Sequence, residues 1–349
     1  MFENTERTEL SALGEFGLIS HLSKHFTSKN ESTVLGIGDD AAIVKLGNEM
    51  MAISTDSYIE GVHFDLMFHP LKHLGYKAVA ATVSDICAMN AIPTQILVAI
   101  GLSNRFSLEA VEELYEGMRL ACEKYNIDLI GGDTSSSRSG LVLNLTAMGR
   151  VEESKLTLRK GAQVNDLLVV TGDLGGAYMG LQILEREKKV FIEHPKMQPD
   201  LETYDYIVGR QLKAEARVDV IQLLDDLKII PTSMMDVSDG VASELYHLGQ
   251  ASGVGFDIYE EKLPIDPQTI DAALEFDLNP SIMALNGGED YELLFTIKQE
   301  DFDKIKNNPD FTVIGHATEV VNSYRLNTKA GNSFEIKAQG WEHFSSDNK

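Results

Sequence analysis

Cysteine is nearly missing from this 349-residue sequence: Cys87 and Cys122 are the only two, and there is a single tryptophan. Both thiols lie inside helical patterns with no metal-type spacing between them, so no disulfide framework is expected and a reducing compartment suits the chain. The nine histidines are scattered, without the spacing of a zinc site. No apolar run approaches the roughly 18 residues a membrane-spanning helix needs. The opening MFENTERTELSALGEF alternates charged and apolar residues instead of forming a signal-peptide core. A cytoplasmic protein with no membrane partner is therefore expected. Basic residues are also scarce: 30 Lys and Arg against 54 Asp and Glu give a net charge of −24. With no Lys/Arg stripe to track phosphates, nucleic acid is a poor partner. No G-x-x-x-x-G-K-[ST] loop, no G-x-G-x-x-G after a strand and no protein-kinase motif set occurs.

What is present is ordinary globular composition, 43% hydrophobic and 24% charged, in a chain long enough for two domains. Apolar spacing predicts helices over Leu71–Met89, Ser107–Tyr125, Leu174–Lys188 and Leu212–Leu227. Short apolar runs predict strands at Ile96–Leu102, Leu141–Met148, Leu167–Thr171, Met234–Val237, Phe256–Tyr259, Glu292–Ile297 and Thr312–Ile314. The alternation points to an α/β or α+β fold. A polar stretch at Gly149–Lys160 places a boundary between residues 1–150 and 151–349. Phe191–Arg210, polar and proline-containing, reads as a surface excursion, and Ser345–Lys349 as a disordered end.

Acidic residues recur beside Gly, Ser or Thr at the ends of apolar runs: Gly38-Asp39-Asp40, Ser54-Thr55-Asp56, Ser84-Asp85, Gly132-Asp133, Asp236-Val237-Ser238-Asp239-Gly240 and Gly288-Glu289-Asp290. Each can be accounted for plainly, because turns select Asp and Gly and helix starts select Asp and Ser. Asp85 does not fit that account. It falls on the alanine-rich face of a helix, where a lone carboxylate is costly to bury and a cation would relieve the cost. Asp56, Asp133 and Asp236 follow strand-like runs, and ligand sites collect at strand ends in α/β sheets. Carboxylates converging there repel unless cations join them, and hard oxygen ligands suit Mg²⁺. Gly172 and Gly175-Gly176 could cradle a phosphate, although a helix start accounts for them as well.

GIGDDAA, STDSYIEGVHF, SDICAMNA, LIGGDT, DVSDG, GGEDYELLFT and the closing GWEHF occur in one order from about Gly14 to Phe344. This set resembles the thiamine-monophosphate kinase family, in the superfamily of aminoimidazole ribonucleotide synthetase. EGVHF, GGEDYELLF and GWEHF are the specific pieces; the rest are shared across the superfamily. The resemblance implies an α+β, two-domain synthetase-like fold. Its N-terminal α/β half would contribute to a dimer-spanning β-barrel, and its C-terminal half would form an α/β/α layer. It implies metal ligands at Asp40, Ser54, Thr55, Asp56, Asp85, Asp133, Asp236 and Asp239, holding several Mg²⁺ ions. ATP contacts would fall on Tyr115, Gly132, Asp133, Arg159 and Ser238, and substrate contacts on His63, Glu289 and Trp341. A homodimer acting on thiamine monophosphate and ATP is implied. Asp39 is read as serving its turn. Asn90 departs from the family, which carries glycine there.

The residues suit that chemistry. A phosphate monoester, with a second pKa of about 6, is already largely ionised at neutral pH, so no general base is called for. None is offered by a Ser-His or Cys-His pair. Phosphoryl transfer then depends on positioning and charge neutralisation. Trp341 could stack on a thiazolium or simply anchor the C-terminus. His63 could donate to a phosphate or be a satisfied structural histidine, and Glu289 could bind substrate or shape a turn. Two other readings compete: another ATP-using synthetase of the superfamily, whose N-terminal Cys or Lys-rich Gly loop is missing, and a non-catalytic nucleotide-binding protein.

Overall fold

The computed structural model describes residues 13–338. Trp341 and the rest of GWEHF lie outside the described residues. The first half carries helices α1 (Gly14–Ser23), α2 (Leu71–Ala88) and α3 (Leu108–Tyr125). Its strands are β1 (Thr33–Leu35), β2 (Ala42–Leu46), β3 (Glu49–Ile59), β4 (Ile92–Leu102), β5 (Asp128–Ser136) and β6 (Val142–Val151). The second half carries α4 (Gly176–Glu193), α5 (Asp205–Leu212), α6 (Val218–Asp226), α7 (Val241–Ser252), α8 (Pro267–Glu275), α9 (Pro280–Asn286) and α10 (Phe302–Ile305). Its strands are β7 (Leu167–Thr171), β8 (Ser233–Asp236), β9 (Gly255–Tyr259), β10 (Leu293–Ile297), β11 (Phe311–Thr318), β12 (Tyr324–Asn327) and β13 (Ser333–Glu335). Among the described residues, no helix is long and apolar enough to cross a membrane.

Two open sheets organise the chain. The first has six strands in the order β1-β2-β3-β6-β4-β5, antiparallel except for the parallel β4–β5 pair closed by the α3 crossover. It does not close on itself, and all nine residues of its edge strand β5 are exposed. The second has seven strands, β13-β12-β9-β11-β7-β10-β8. Its strands alternate between two cores. Val169 of β7 and Phe295 of β10 face the cluster that contains α2 and α6 residues, while Leu168, Val170 and Leu294 face the α7 side. That is the period-2 signature of a sheet covered on both faces.

Helix α2 joins the halves. It touches β3, β4 and β6 of the first sheet as well as β8 and α6 of the second half. Its run of small residues allows this double burial: Ala78, Ala80 and Ala88 are fully buried. On its remaining side, α3 comes so close that a Cβ on Gly75 would sit 1.9 Å from the Leu114 carbonyl oxygen, and one on Gly117 would sit 1.8 Å from that of Lys72. Ser107 caps α3 by accepting from the Ala110 N–H. Asn90, just beyond α2, has φ of +56°, and its side-chain amide donates to the Lys155 carbonyl at 2.8 Å. Asparagine is the residue next to glycine in tolerating that conformation, which accounts for the departure.

Two expectations need correction, and one open alternative is decided. The helix expected over 212–227 starts only at Val218, because Leu212 ends α5, Lys213 and Arg217 leave helical geometry, and Arg217 turns inward to pair with Glu292 at 2.7 Å. Asp56 and Asp133 lie within β3 and β5, not at strand ends. The Gly175-Gly176 turn starts α4, as the helix-start reading has it, and Asp290 accepts from the Gly175 N–H at 2.7 Å and the Ala177 N–H at 3.4 Å, so a carboxylate holds these amides in place of a phosphate.

Candidate active site

Three carboxylates from distant segments meet where α2 lies between the sheets. Asp40 comes from the loop before β2, Asp85 from α2 and Asp236 from the end of β8; each offers an oxygen within 4.8 Å of the others. From Leu74 to Ala88, Asp85 is the one residue of α2 that is not buried, so the helix opens to the cleft only at its acid. The Ser54 hydroxyl of β3 donates to Asp85, and the Ser84 hydroxyl donates to Asp236 at 2.7 Å. Ser54 and Asp56 project from one face of β3. The Thr55 hydroxyl donates to the Leu145 carbonyl of β6 at 3.0 Å.

Electrostatics follow from this crowding. Burial first, and then repulsion from Asp40, push Asp236 up to about 7. Asp85 is held well above the carboxylate range by burial and by Asp56, Asp236 and Asp40. Burial also raises Asp56, partly offset by the Thr82 and Tyr58 hydroxyls facing it. Arg159 supplies positive charge, donating to Asp40 Oδ1 at 2.6 Å. Asp39 is pushed up to about 6 by burial and by Asp40, and it accepts from the backbone N–H groups of Asp40 and Arg159. It therefore shapes the loop, as its sequence context suggests. Asp40 Oδ2 is buried with no hydrogen-bond partner among the described residues. A buried acceptor of that kind beside two more carboxylates fits a hard divalent cation coordinated by oxygen.

The cleft around this cluster has a volume of 1880 Å³, and Asp40, Ser54, Thr55, Asp56, His63, Asp85, Arg159, Asp236, Ser238, Asp239 and Glu289 all line it. The Asp236–Gly240 and Gly287–Asp290 segments are tied together: the Glu289 N–H donates to the Ser238 carbonyl at 2.7 Å, and Tyr291 N–H to Val237 at 2.9 Å. Gly288 permits that approach, since a Cβ there would sit 2.4 Å from the Ser238 oxygen. His63 accepts from the Ile59 N–H on Nδ1, which leaves the ring proton of the neutral form on Nε2 as a donor.

Tyr115, Gly132 and Asp133 stand apart. Gly132 and Asp133 are on the exposed edge strand β5, and Tyr115 lines a separate hollow of 770 Å³ that shares no lining residue with the acidic cleft. Within a single chain they do not join the cluster.

Several residues at the site carried no motif signal. Buried Glu244 of α7 accepts from the Ser238 and Asp239 N–H groups at 3.2 and 2.9 Å and so fixes that loop. Lys77 of α2, only 3% exposed, meets Glu289 at 2.8 Å. Gln211 of α5 donates to the other Glu289 oxygen at 2.8 Å. Lys77 had one available cue, a lysine inside an otherwise apolar helical run. The acids of GGEDYE divide their tasks: Glu289 faces the cleft, Asp290 caps α4, and Glu292 is buried between Arg210 and Arg217.

Comparisons with known proteins agree across the chain. The N-terminal domain of AIR synthase related proteins matches residues 38–151, and the C-terminal domain matches residues 163–324. Thiamine-monophosphate kinase of Bacillus subtilis (strain 168) is 33% identical over 338 residues, covering 95% of this chain and 100% of the relative. The Aquifex aeolicus (strain VF5) thiamine-monophosphate kinase is 32% identical over 338 residues, 96% of this chain and 99% of that one. A solved structure described as AaThiL complexed with AMPPCP and TMP superposes with a TM-score of 0.82 at 32% identity, covering 97% of this chain and 100% of that chain. The chain belongs to the thiamine-monophosphate kinase family of AIR-synthase-related proteins.

Proposed function

We propose that the protein phosphorylates thiamine monophosphate to thiamine diphosphate, transferring the γ-phosphoryl group of ATP in line to the substrate phosphate. The observation that carries this reading is the convergence of Asp40, Asp85 and Asp236 within 4.8 Å, from three segments that no local structure brings together. A relative complexed with AMPPCP and TMP supports ATP and thiamine monophosphate as the reacting pair. The acceptor oxygen is already ionised at neutral pH, so the obstacle is repulsion between two anions.

Asp40, Asp85 and Asp236 would hold Mg²⁺, with Asp56, Asp239, Ser54 and Thr55 beside them. When bound, Mg²⁺ supplies the charge neutralisation that lets two phosphate groups approach. Arg159, anchored on Asp40, presents a forked cation for phosphate. Ser238 is a further candidate contact of the ATP phosphates, on a loop that Glu244 holds still. His63 would donate to the acceptor phosphate through Nε2, and Glu289 would bind the organic half; Trp341 keeps its stacking role as a proposal. Tyr115, Gly132 and Asp133 would act from the second copy of a homodimer. An open sheet whose edge strand is exposed along its whole length is suited to pairing with its symmetry mate.

Purified protein incubated with ATP, Mg²⁺ and thiamine monophosphate should yield thiamine diphosphate by chromatography. A folded preparation that makes none, while turning over another phosphate acceptor, would reject the assignment.

A further inference from the structure

Helix α2 carries two fully buried hydroxyls two residues apart, and the fold uses them differently. The Thr82 hydroxyl donates to the Ala78 carbonyl one turn back at 3.0 Å, which is how a helical hydroxyl satisfies itself locally. The Ser84 hydroxyl instead donates across to Asp236 Oδ2 at 2.7 Å, from the joining helix to the end of β8. A hydroxyl has a single proton to give, so Ser84 forgoes the carbonyl of its own helix in favour of this carboxylate. The next residue is Asp85. Neighbours on an α-helix point about 100° apart, which lets Ser84 face β8 while Asp85 faces the cleft. Asp85 lines the cleft and Ser84 does not.

Asp236 is therefore held twice. Its backbone is fixed by the pairing of β8 with β10, where it lies opposite Leu293. One side-chain oxygen is bound to a fully buried group behind the cleft wall, which leaves the other for the cluster with Asp40 and Asp85. The other two carboxylates are divided in the same way: Asp40 gives Oδ1 to Arg159 at 2.6 Å, and Asp85 gives Oδ2 to Ser54. Arg159 and Ser54 line the cleft themselves, so only at Asp236 is the committed oxygen drawn away from it.

That division bears on which cation the cluster accepts. Ca²⁺ takes about six to eight oxygens in a flexible shell and readily accepts both oxygens of one carboxylate. The smaller Mg²⁺ demands a near-octahedral shell at shorter distance, which suits carboxylates that offer one oxygen each. We propose that Ser84 is a positioning residue that restricts Asp236 to a single oxygen toward the cluster, and that this restriction makes the site select Mg²⁺ over Ca²⁺. The inference rests on the cation reading of the cluster and is independent of which phosphate acceptor the protein uses.

Titration calorimetry of the full chain at pH 8 without nucleotide, with MgCl₂ alone and with CaCl₂ alone, tests it. Wild-type protein should bind Mg²⁺ at least as tightly as Ca²⁺. Ser84→Ala releases Asp236 Oδ2 to turn toward the cluster. It should weaken Mg²⁺ binding about tenfold, as losing an outer-shell partner does, and leave Ca²⁺ binding unchanged or tighter. The preference for Mg²⁺ then falls by about the same factor. A hydroxyl that merely satisfied a buried acid would lower both affinities together, or lower only the unfolding temperature, and either result overturns the proposal. Tighter binding of Ca²⁺ than of Mg²⁺ by the wild type overturns it too, and needs no variant to fold. Binding of neither ion by the wild type removes the cation reading and the proposal with it. Thiamine diphosphate formation assayed on the same samples reports on the kinase reading separately: a shifted preference without product removes the activity and keeps the role of Ser84.

Discussion

Replacing Asp236 with asparagine should make the metal-free protein more stable while removing its activity. Asp236 is 2% exposed, and its pKa stands at about 7 against an ordinary 3.8, through burial and the neighbouring Asp40. The folded state therefore holds a proton more tightly than the unfolded chain, so stability falls as pH climbs from about 4 to about 7. About three pH units at about 1.4 kcal/mol each set a ceiling of about 4 kcal/mol for the destabilisation felt above pH 7. Asparagine removes the charge and keeps an oxygen to accept from Ser84, but it forfeits attraction to Arg159. A net gain of about 1–3 kcal/mol at pH 8 is expected. Urea unfolding in EDTA at pH 8 and pH 5 reads it: the variant should be clearly more stable at pH 8, with the gap closing at pH 5, where wild-type Asp236 is protonated. Mg²⁺ should stabilise the wild type at pH 8 and release protons, and do neither for the variant. Losing even an outer-shell partner of a metal costs about 10–100-fold, so turnover should fall at least about a hundredfold. A variant no more stable than wild type at pH 8 without metal would refute the reasoning.

Other predictions follow from packing and assembly. Gly117→Ala would drive a methyl into the Lys72 carbonyl, 1.8 Å away, and should cost at least about 3 kcal/mol by parting α2 from α3, measured by thermal unfolding. Asn90→Gly should lose only the bond to the Lys155 carbonyl, about 1 kcal/mol, while Asn90→Ala should cost about 1–2 kcal/mol more for its left-handed backbone. Glu244→Ala should lower kcat more than it lowers stability, because it frees the Ser238–Asp239 amides; a purely thermal effect with unchanged kcat would contradict its placement. If Asp133 acts from the partner copy, mixing inactive Asp133→Asn with inactive Asp236→Asn, followed by subunit exchange, should restore about a quarter of wild-type activity, because half the dimers then hold one intact site. No recovery would place both residues in one subunit's site.

The sequence exposed what depends on local pattern. The period of α2, the helix over Ser107–Tyr125 and the strand Leu167–Thr171 could be read from spacing alone, and the acids Asp40, Asp85 and Asp236 stood out beside Gly and Ser. Asp85 was legible because a carboxylate on an alanine face is costly to bury unless a cation meets it. What escaped was decided by distant partners. The break at 213–217 exists because Arg217 is drawn to Glu292, against a helical pattern that continues through it. Asp290 and Glu289 are neighbours in one motif, yet one caps α4 while the other faces the cleft, and nothing in GGED separates them. Gln211, next to last in an unremarkable helix, gives no sign in the sequence of its bond to Glu289. Gly132 and Asp133 sit in a motif as clear as the others, while Tyr115 was carried over outside any sharp motif, and no spacing says whether a residue serves its own chain or a second one.

Helix α2 gives the molecule one further property. Because Asp40, Asp85 and Asp236 belong respectively to the first sheet's loop, the joining helix and the second sheet's edge, the carboxylate cluster exists only after the two halves have docked. Neither half produced on its own would retain it, even with its sheet intact. If the cluster holds a cation as proposed, cation affinity measures assembly of the whole chain, and a substitution that shifts one half by an ångström should be felt first as lost affinity, before any strand melts.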